Sequence, residues 1–449
     1  MSLPGYHESS TEMRPVSQVN GTQANESQAS LPSYSRRVAT VWDVPPAEQV
    51  HCFYLTAKKT GIQWLTLSLT SRAASAVDTP TFYQGGDVTG SVKLDLEKEE
   101  SVDEITIALY GRLSIFSHST SNFLYASQTL YSAASEPHNT HTATSFLKRG
   151  KLRGHHEWPY SLRLPKGVSI MSSITTDGVA ERENYRLPPS FTDAEANVDV
   201  QYLLVVRVNR GGFKSGDKLS VPLTYIPLAR PSPPSILRQL AYRENTPLVG
   251  PEGDPDGWKA LAPTQIKGML FKTVPVEAEC RVHVSKPLSY TRGAPVHLLI
   301  SISCSNGQLL DLITPQSVRL ALVQRITFGD ATQKARFSER LPAQLTVKAF
   351  ERASASWWKL PSPTTGASAS APTTKAFAGE LLIPEDLVPG CQILHYGHEY
   401  ELCLYPFNVV GFTPSTPQKK PLLSERVGIV TAFAQAPRPL SYIPPQYDT

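Results

Sequence analysis

The chain has little methionine and little cysteine, four and five residues among 449, and no apolar run approaches the ~20 residues that a membrane-spanning helix needs. Few methionines beside 38 prolines disfavour helical bundles and fit a loop-rich β protein. The cysteines (Cys52, Cys280, Cys304, Cys391 and Cys403) are odd in number, scattered and without a CxxC pair, so reduced, buried thiols are expected. Residues 1–10 are polar where a secretory leader is apolar, which predicts a cytoplasmic protein. A net charge of +4 is too small for the basic face of a nucleic-acid-binding domain. Catalytic signatures are also missing: there is no GxSxG elbow, P-loop, GxGxxG or HExxH. Cys391, His395, His398 and Cys403 have zinc-ligating side chains, but their spacing matches no zinc finger, and His398 and Cys403 lie on a strand whose Tyr400, Leu402 and Leu404 face a core. No metal, cofactor or enzymatic activity is expected.

What the chain does have is two-residue alternation. Within residues 81–113, Val92, Leu94 and Leu96 alternate with Lys93, Asp95 and Glu97, and Ile105, Ile107 and Leu109 with Thr106, Ala108 and Tyr110, the period of half-buried strands. The acidic residues 97–104 are expected to connect them as an antiparallel hairpin or corner whose apolar face needs a second sheet. Gly85, Gly86 and Gly90 frame the entry to this pair. Leu65, Leu67 and Leu69 predict a first strand, with folded chain starting near Gly61. A later strand, residues 198–210, has apolar residues on both sides near Leu203 and Val205 and is expected to be covered on both faces there. Residues 227–263 are proline-rich and read as an extended linker with one helical turn at 236–242. Alternation then resumes at Val282, at Val296 to Ile302, and in 318–328, 345–350, 398–404 and 427–433. Residues 353–374, rich in Ser, Thr, Ala and Pro, read as a disordered insert.

Residues 1–60 and 435–449 read as disordered tails. They carry three related motifs: Leu3-Pro4-Gly5-Tyr6 and Leu31-Pro32-Ser33-Tyr34 are LPxY, and Pro444-Pro445-Gln446-Tyr447 is PPxY. Prolines bias such a segment to polyproline II, so little entropy is lost when they dock between the aromatic side chains of a WW domain and the tyrosine fills the adjacent pocket. Leucine in place of the first proline weakens docking, while three sites on two tails would add avidity. Lys148, Arg149, Lys151 and Arg153, next to His155 and His156, are a candidate contact for acidic lipid headgroups or phosphorylated cargo; a solvated hairpin loop has the same composition.

Several stretches resemble the arrestins. Tyr83, Gly85 to Val88, Gly90, Val92, Ile105, Ile107, Leu109 and Gly111 resemble the early strands of the arrestin N-terminal lobe. His156-Glu157-Trp158-Pro159-Tyr160, continuing to Leu164-Pro165, and then Leu187-Pro188-Pro189-Ser190-Phe191, are similar to later motifs of that lobe. Tyr290, Arg292-Gly293, Leu322, Gln324 and Leu381-Leu382-Ile383-Pro384 are similar to the C lobe, whereas residues 170–186 enlarge a loop relative to visual and β-type arrestins. With its terminal motifs the chain resembles the α-arrestin or arrestin-related trafficking adaptor group, most like fungal members.

The resemblance implies an all-β fold of two tandem immunoglobulin-like β-sandwich lobes, residues 61–226 and 264–434, with disordered termini. It also implies an adaptor that joins the cytosolic tails of membrane transporters or receptors to a WW-domain HECT-type ubiquitin ligase, promoting ubiquitination, endocytosis and sorting. Such an adaptor is cytoplasmic and recruited to the plasma membrane and endosomes by peripheral association. Pro444, Pro445 and Tyr447 would bind the ligase, and more weakly Leu31, Pro32 and Tyr34, and Leu3, Pro4 and Tyr6; Lys58, Lys59, Lys148 and Lys151 are candidate ubiquitin acceptors. The alternative is a non-ligase endosomal trafficking scaffold with a retromer-subunit-like fold, which has no need of the tail motifs.

Overall fold

The structure is a computed structural model that describes residues 47–57, 60–115, 119–135, 150–174, 180–210, 216–329, 345–360, 374–394 and 396–444. The described chain is almost all β and forms two β-sandwich units that divide after Ile226.

The N-terminal unit is built along one strand, Asp87–Ile115, 29 residues long. The hairpin expected at 97–104 does not form. That stretch has no Gly, Pro or Asn to supply turn geometry, so it stays extended and the strand changes neighbours instead. Its first part pairs with Gln63–Ser71 and Lys151–Arg163, and its last part with Ser119–Ser132 and Val198–Arg210. Between Leu96 and Glu100 the register slips, so that Glu97 to Glu99 stand opposite Arg153 alone, a bulge that absorbs the acidic run. Val92, Leu94, Ile105, Ile107 and Leu109 are fully buried, so both parts face a core.

Three further differences from the sequence reading have local causes. Folded chain begins before Gly61, because Gln49–Thr56 pairs with Gln63–Ser71. Only His51 and Leu55 of that strand are buried, with His51 Nε2 2.8 Å from Ser71 Oγ, so no apolar alternation reveals it. The enlarged loop at 170–186 is largely a two-stranded ribbon, Gly167–Ile174 against Ala180–Arg186, whose second strand, AERENYR, is nearly all polar and gives no strand signal. Val198–Arg210 buries Val205 as well as the opposite row from Val198 to Val208, while Leu203 is half-buried. Here the Tyr202 hydroxyl donates to the Pro188 carbonyl at 2.7 Å and Tyr225 N–H to Ser190 Oγ at 2.9 Å, which ties the Leu187-to-Phe191 motif to the strand ends.

In the C-terminal unit a seven-stranded and a six-stranded sheet enclose one core. Ile266, Cys280, Ile300 and Phe377 enter it from the first sheet, and Leu322, Tyr400, Leu402 and Val427 from the second. The segment expected as a linker, 227–263, belongs to this unit rather than running free. It holds the helix Ile236–Glu244, capped by Ser235 Oγ accepting from Arg238 N–H and ended by Asn245 in the left-handed region. Its strand Trp258–Ala260 pairs with Val274–Ser285. The expected insert is also shorter than 353–374: Ala353 and Ser354 complete the strand Leu345–Ser354, Ser356–Lys359 is a strand, and Thr374 opens Thr374–Leu382. Residues 361–373 lie outside the described residues. No helix among the described residues is long and apolar enough to cross a membrane.

Gly90 shows how closely the N-terminal strands approach: a Cβ there would lie 2.0 Å from the Ser68 carbonyl oxygen and 2.7 Å from the Tyr160 hydroxyl. Because the nearest atom is backbone, Gly90→Ala is expected to destabilise by about 1–3 kcal/mol in urea unfolding. Gly250→Ala, whose Cβ meets nothing within 4 Å, is expected to stay within about 0.5 kcal/mol of wild type.

Candidate functional site

The most developed polar site among the described residues lies on the outward face of the seven-stranded sheet in the C-terminal unit. In Pro295–Cys304, Val296, Leu298 and Ile300 point into the core, which turns His297 outward; in Thr374–Leu382, Phe377 and Leu381 do the same and turn Glu380 outward. His297 and Glu380 are direct cross-strand partners. Outward positions are ordinarily hydrated, yet both residues are buried, at 3% and 2% exposure. The helix Ile236–Glu244 and the end of the chain cover them.

The chain end forms a strap. Past the last strand, Leu423–Val430, it is held by the first residues after Ile226: Thr431 Oγ1 donates to the Pro227 carbonyl at 2.6 Å and accepts from Ala229 N–H at 3.1 Å, and Arg230 Nη1 donates to the Phe433 carbonyl at 3.0 Å. The strap then reaches the buried carboxylate. Ser441 Oγ–H donates to Glu380 Oε2 at 2.7 Å and Tyr442 N–H to Glu380 Oε1 at 2.5 Å, while His297 Nδ1 lies 3.3 Å from the same Oε1. The His297 ring stands between two tyrosines, with centroids 5.5 Å from Tyr442 and 5.8 Å from Tyr242, and the Tyr442 hydroxyl donates to the Thr246 carbonyl at 2.9 Å. Burial, and then the Glu380 charge, push the Tyr442 phenol upward. Burial pushes His297 below its ordinary value of 6.5 even though Glu380 opposes that shift. Chemically this is an anchoring site: Ser441, Tyr442 and His297 surround the Glu380 carboxylate, while His297 Nε2 is buried without a hydrogen-bond partner among the described residues.

Of the expected WW-binding residues, Pro444 is described and exposed, two residues beyond the Tyr442 anchor. Residues 435–444, expected as free tail, therefore include the seated Ser441 and Tyr442. Pro445 and Tyr447 lie outside the described residues, as do Leu3, Pro4, Tyr6, Leu31, Pro32 and Tyr34. The same is true of Lys148 and Arg149 in the basic stretch and of the acceptor candidates Lys58 and Lys59. Lys151 and Arg153 are exposed on the strand Lys151–Arg163, and acidic neighbours take up part of this charge: Lys151 Nζ is 3.4 Å from Glu99 and His155 Nδ1 2.6 Å from Asp95.

Cys391 and His398 face each other across a strand pair with Sγ and Nδ1 3.6 Å apart. His398 Nδ1 also lies 3.1 Å from the Tyr396 hydroxyl and its Nε2 3.3 Å from the Val388 carbonyl. Cys403 points elsewhere, 3.5 Å from Ser424 Oγ, and His395 lies outside the described residues. Among the described residues no three His, Cys, Asp or Glu side chains gather as a metal site. Of the five cysteines, Cys52 and Cys391 are half-buried rather than buried.

The sequence reading did not find Glu380, His297, Tyr242, Ser441 and Tyr442. Alternation places the first two on the polar side, and the one hint of a seat was Tyr442-Ile443, an aromatic and an aliphatic residue inside a stretch read as tail.

Two expectations follow from this geometry. In Glu380→Gln an amide N–H₂ faces groups that need an acceptor, so release of the strap is expected at about 1–3 kcal/mol, read as faster hydrogen exchange at Tyr442. Burial lowers His297 in the folded unit, so as pH falls through 6.5 the unfolded chain binds more protons than the folded one and stability drops below that pH. The urea midpoint is expected to fall between about pH 7 and 5.5, with a smaller fall in His297→Gln; His51 and His283, also lowered by burial, keep the remainder of the slope. No protein-family model matches the chain, and no curated protein matches it in sequence.

Proposed function

We propose that this chain is an arrestin-like adaptor of the α-arrestin type, which links the cytosolic tails of membrane transporters or receptors to a WW-domain HECT-type ubiquitin ligase and thereby promotes ubiquitination, endocytosis and sorting. The observation that carries this reading is the position of the PPxY motif. It starts at Pro444, exposed and two residues past the Tyr442 anchor of a β-sandwich. A ligand motif rooted so close to a folded body would hold a bound ligase within a few residues' reach of that body, which raises the effective concentration of the ligase at anything the body carries. The all-β architecture supports the reading at the level of fold, and the proline-proline-x-tyrosine chemistry supports the partner class.

In this reading Tyr447 fills the WW tyrosine pocket and Pro444 and Pro445 lie in its aromatic groove. Tyr34 and Tyr6 add weaker contacts, and the ligase modifies exposed lysines, Lys151 among them. Cytoplasmic residence with recruitment to plasma membrane and endosomes, and contact of Lys148, Arg149, Lys151 and Arg153 with acidic headgroups or phosphorylated cargo, are parts of the same proposal.

The test is titration of the full-length chain into a tandem WW protein, beside Tyr447→Ala. Micromolar binding that weakens at least tenfold on substitution, about 1.4 kcal/mol, is expected. Equal or absent binding in both would leave the endosomal scaffold without a ligase as the better reading.

A further inference from the structure

One hairpin of the C-terminal unit breaks two local rules at once. The strands Thr264–Leu270 and Val274–Ser285 are joined by a tight turn in which Thr273 N–H donates to the Leu270 carbonyl at 3.1 Å. Its central residues, Phe271 and Lys272, have φ of 51° and 65°. Two successive positive φ values are the pattern of a type I′ turn, which Asn-Gly or Asp-Gly fills readily and which strains any residue with a larger side chain. The second rule is burial. Phe271 is 50% exposed, beside Val274 at 43% and Met269 at 37%, and Val410, in the adjoining loop, is 87% exposed.

The two loops form one tip. Phe271 N–H donates to the Gly411 carbonyl at 2.6 Å, and a Cβ on Gly411 would lie 2.5 Å from the Phe271 ring. Leu270, Val409 and Phe412 root this tip in the core, so the apolar residues that alternate with them are held outward on a fixed base. Lys272 is the only charged residue in 268–276 and 408–415. A strained turn persists where the surrounding structure holds it and its outward groups are used. These groups project rather than line a groove. A stable protein interface takes roughly 800 Å² from each partner, far more than four side chains offer, whereas a bilayer admits a tip. Aromatic and aliphatic groups enter its headgroup–acyl boundary, and a lysine among them, with no acid nearby, is drawn to acidic headgroups. We propose that this tip is a membrane-inserting element, in which Phe271, Val410, Val274 and Met269 enter an acidic bilayer surface and Lys272 pairs with its headgroups. The tip gives the peripheral association proposed above a site of its own and rests on that part of the reading alone; vesicles free of ligase and cargo test it, so its failure is told apart from failure of the WW titration.

The experiment is co-sedimentation of the full chain with vesicles of phosphatidylcholine mixed with phosphatidylserine, at low and high salt, beside a thermal unfolding scan without lipid. Wild type is expected to bind, and part of the binding is expected to survive high salt, because apolar insertion is not screened. The double variant Phe271→Asn, Lys272→Gly installs the sequence that a type I′ turn prefers. It is expected to partition at least tenfold more weakly while its Tm is no lower than that of wild type, a separation that a merely structural role of Phe271 would not give. Val410→Ser, on the other loop, is expected to weaken binding roughly fivefold at unchanged Tm. Absence of wild-type binding, or equal binding by wild type and both variants, would overturn the proposal; shared binding that high salt abolishes would assign membrane contact to the basic stretch at Lys151 and Arg153 instead. Self-association of wild type in lipid-free buffer that the double variant loses would also overturn it and assign the tip to a second copy of the chain.

Discussion

A carboxylate taken out of water must recover its hydrogen bonds from the protein, or the fold loses several kcal/mol. Glu380 meets that requirement with groups brought from distant parts of the chain: Ser441 and Tyr442 from the strap, and His297 from the neighbouring strand. Meeting it fixes much else in the C-terminal unit. The strap must run along the outward face of the sheet, and its path is set at the other end by Thr431 and Arg230. The helix Ile236–Glu244 must supply Tyr242 to the other side of His297. A sheet face that alternation leaves polar thus becomes an interior.

Two buried charges lie under this cover with opposite fates. Glu380 has its donors within the chain, whereas the buried Arg238 of the helix has the Trp258 ring face and the Lys286 carbonyl and keeps two donors without acceptors among the described residues. The contrast follows from the supply of partners. Backbone N–H and hydroxyl groups are plentiful in an irregular strap and satisfy a carboxylate readily. A guanidinium fork needs two acceptors in one plane, and the nearby acid, Asp254, is already committed to a helix cap and a turn. The cover therefore combines anchoring at one point with an incompletely bonded charge at another.

In the N-terminal unit the organising constraint is the unbroken strand Asp87–Ile115. Alternation located both of its apolar runs and the residues that face the core. It did not reveal that they are one strand, because the largely polar run Glu97 to Glu104 interrupts the apolar alternation between them. Pairing with Lys151–Arg163, far along the chain, decided for the bulge. Gln49–Thr56 was hidden for a related reason: an edge strand that buries a histidine and one leucine has no period to detect.

The all-β class, the inward rows of the main strands, the helix near Ile236 and the PxY motifs could be read from the chain alone, since each depends on local period or local composition. Val198 to Val208, Val296 to Ile302 and Tyr400 to Leu404 were legible because side chains alternate about a strand whatever lies beyond it. Which polar faces are covered depends on long-range packing. Nothing adjacent in sequence marks Glu380, His297 or Arg238 as buried; their partners stand 20 (Arg238 to Trp258) to 145 (His297 to Tyr442) residues away, and burial by a segment that distant leaves no periodic trace. Proline-rich composition likewise suggested an extended linker at 227–263, and residues 435–449 read as a disordered tail; composition could not say that residues 227–263, Ser441 and Tyr442 would pack, because packing depends on the surface they meet.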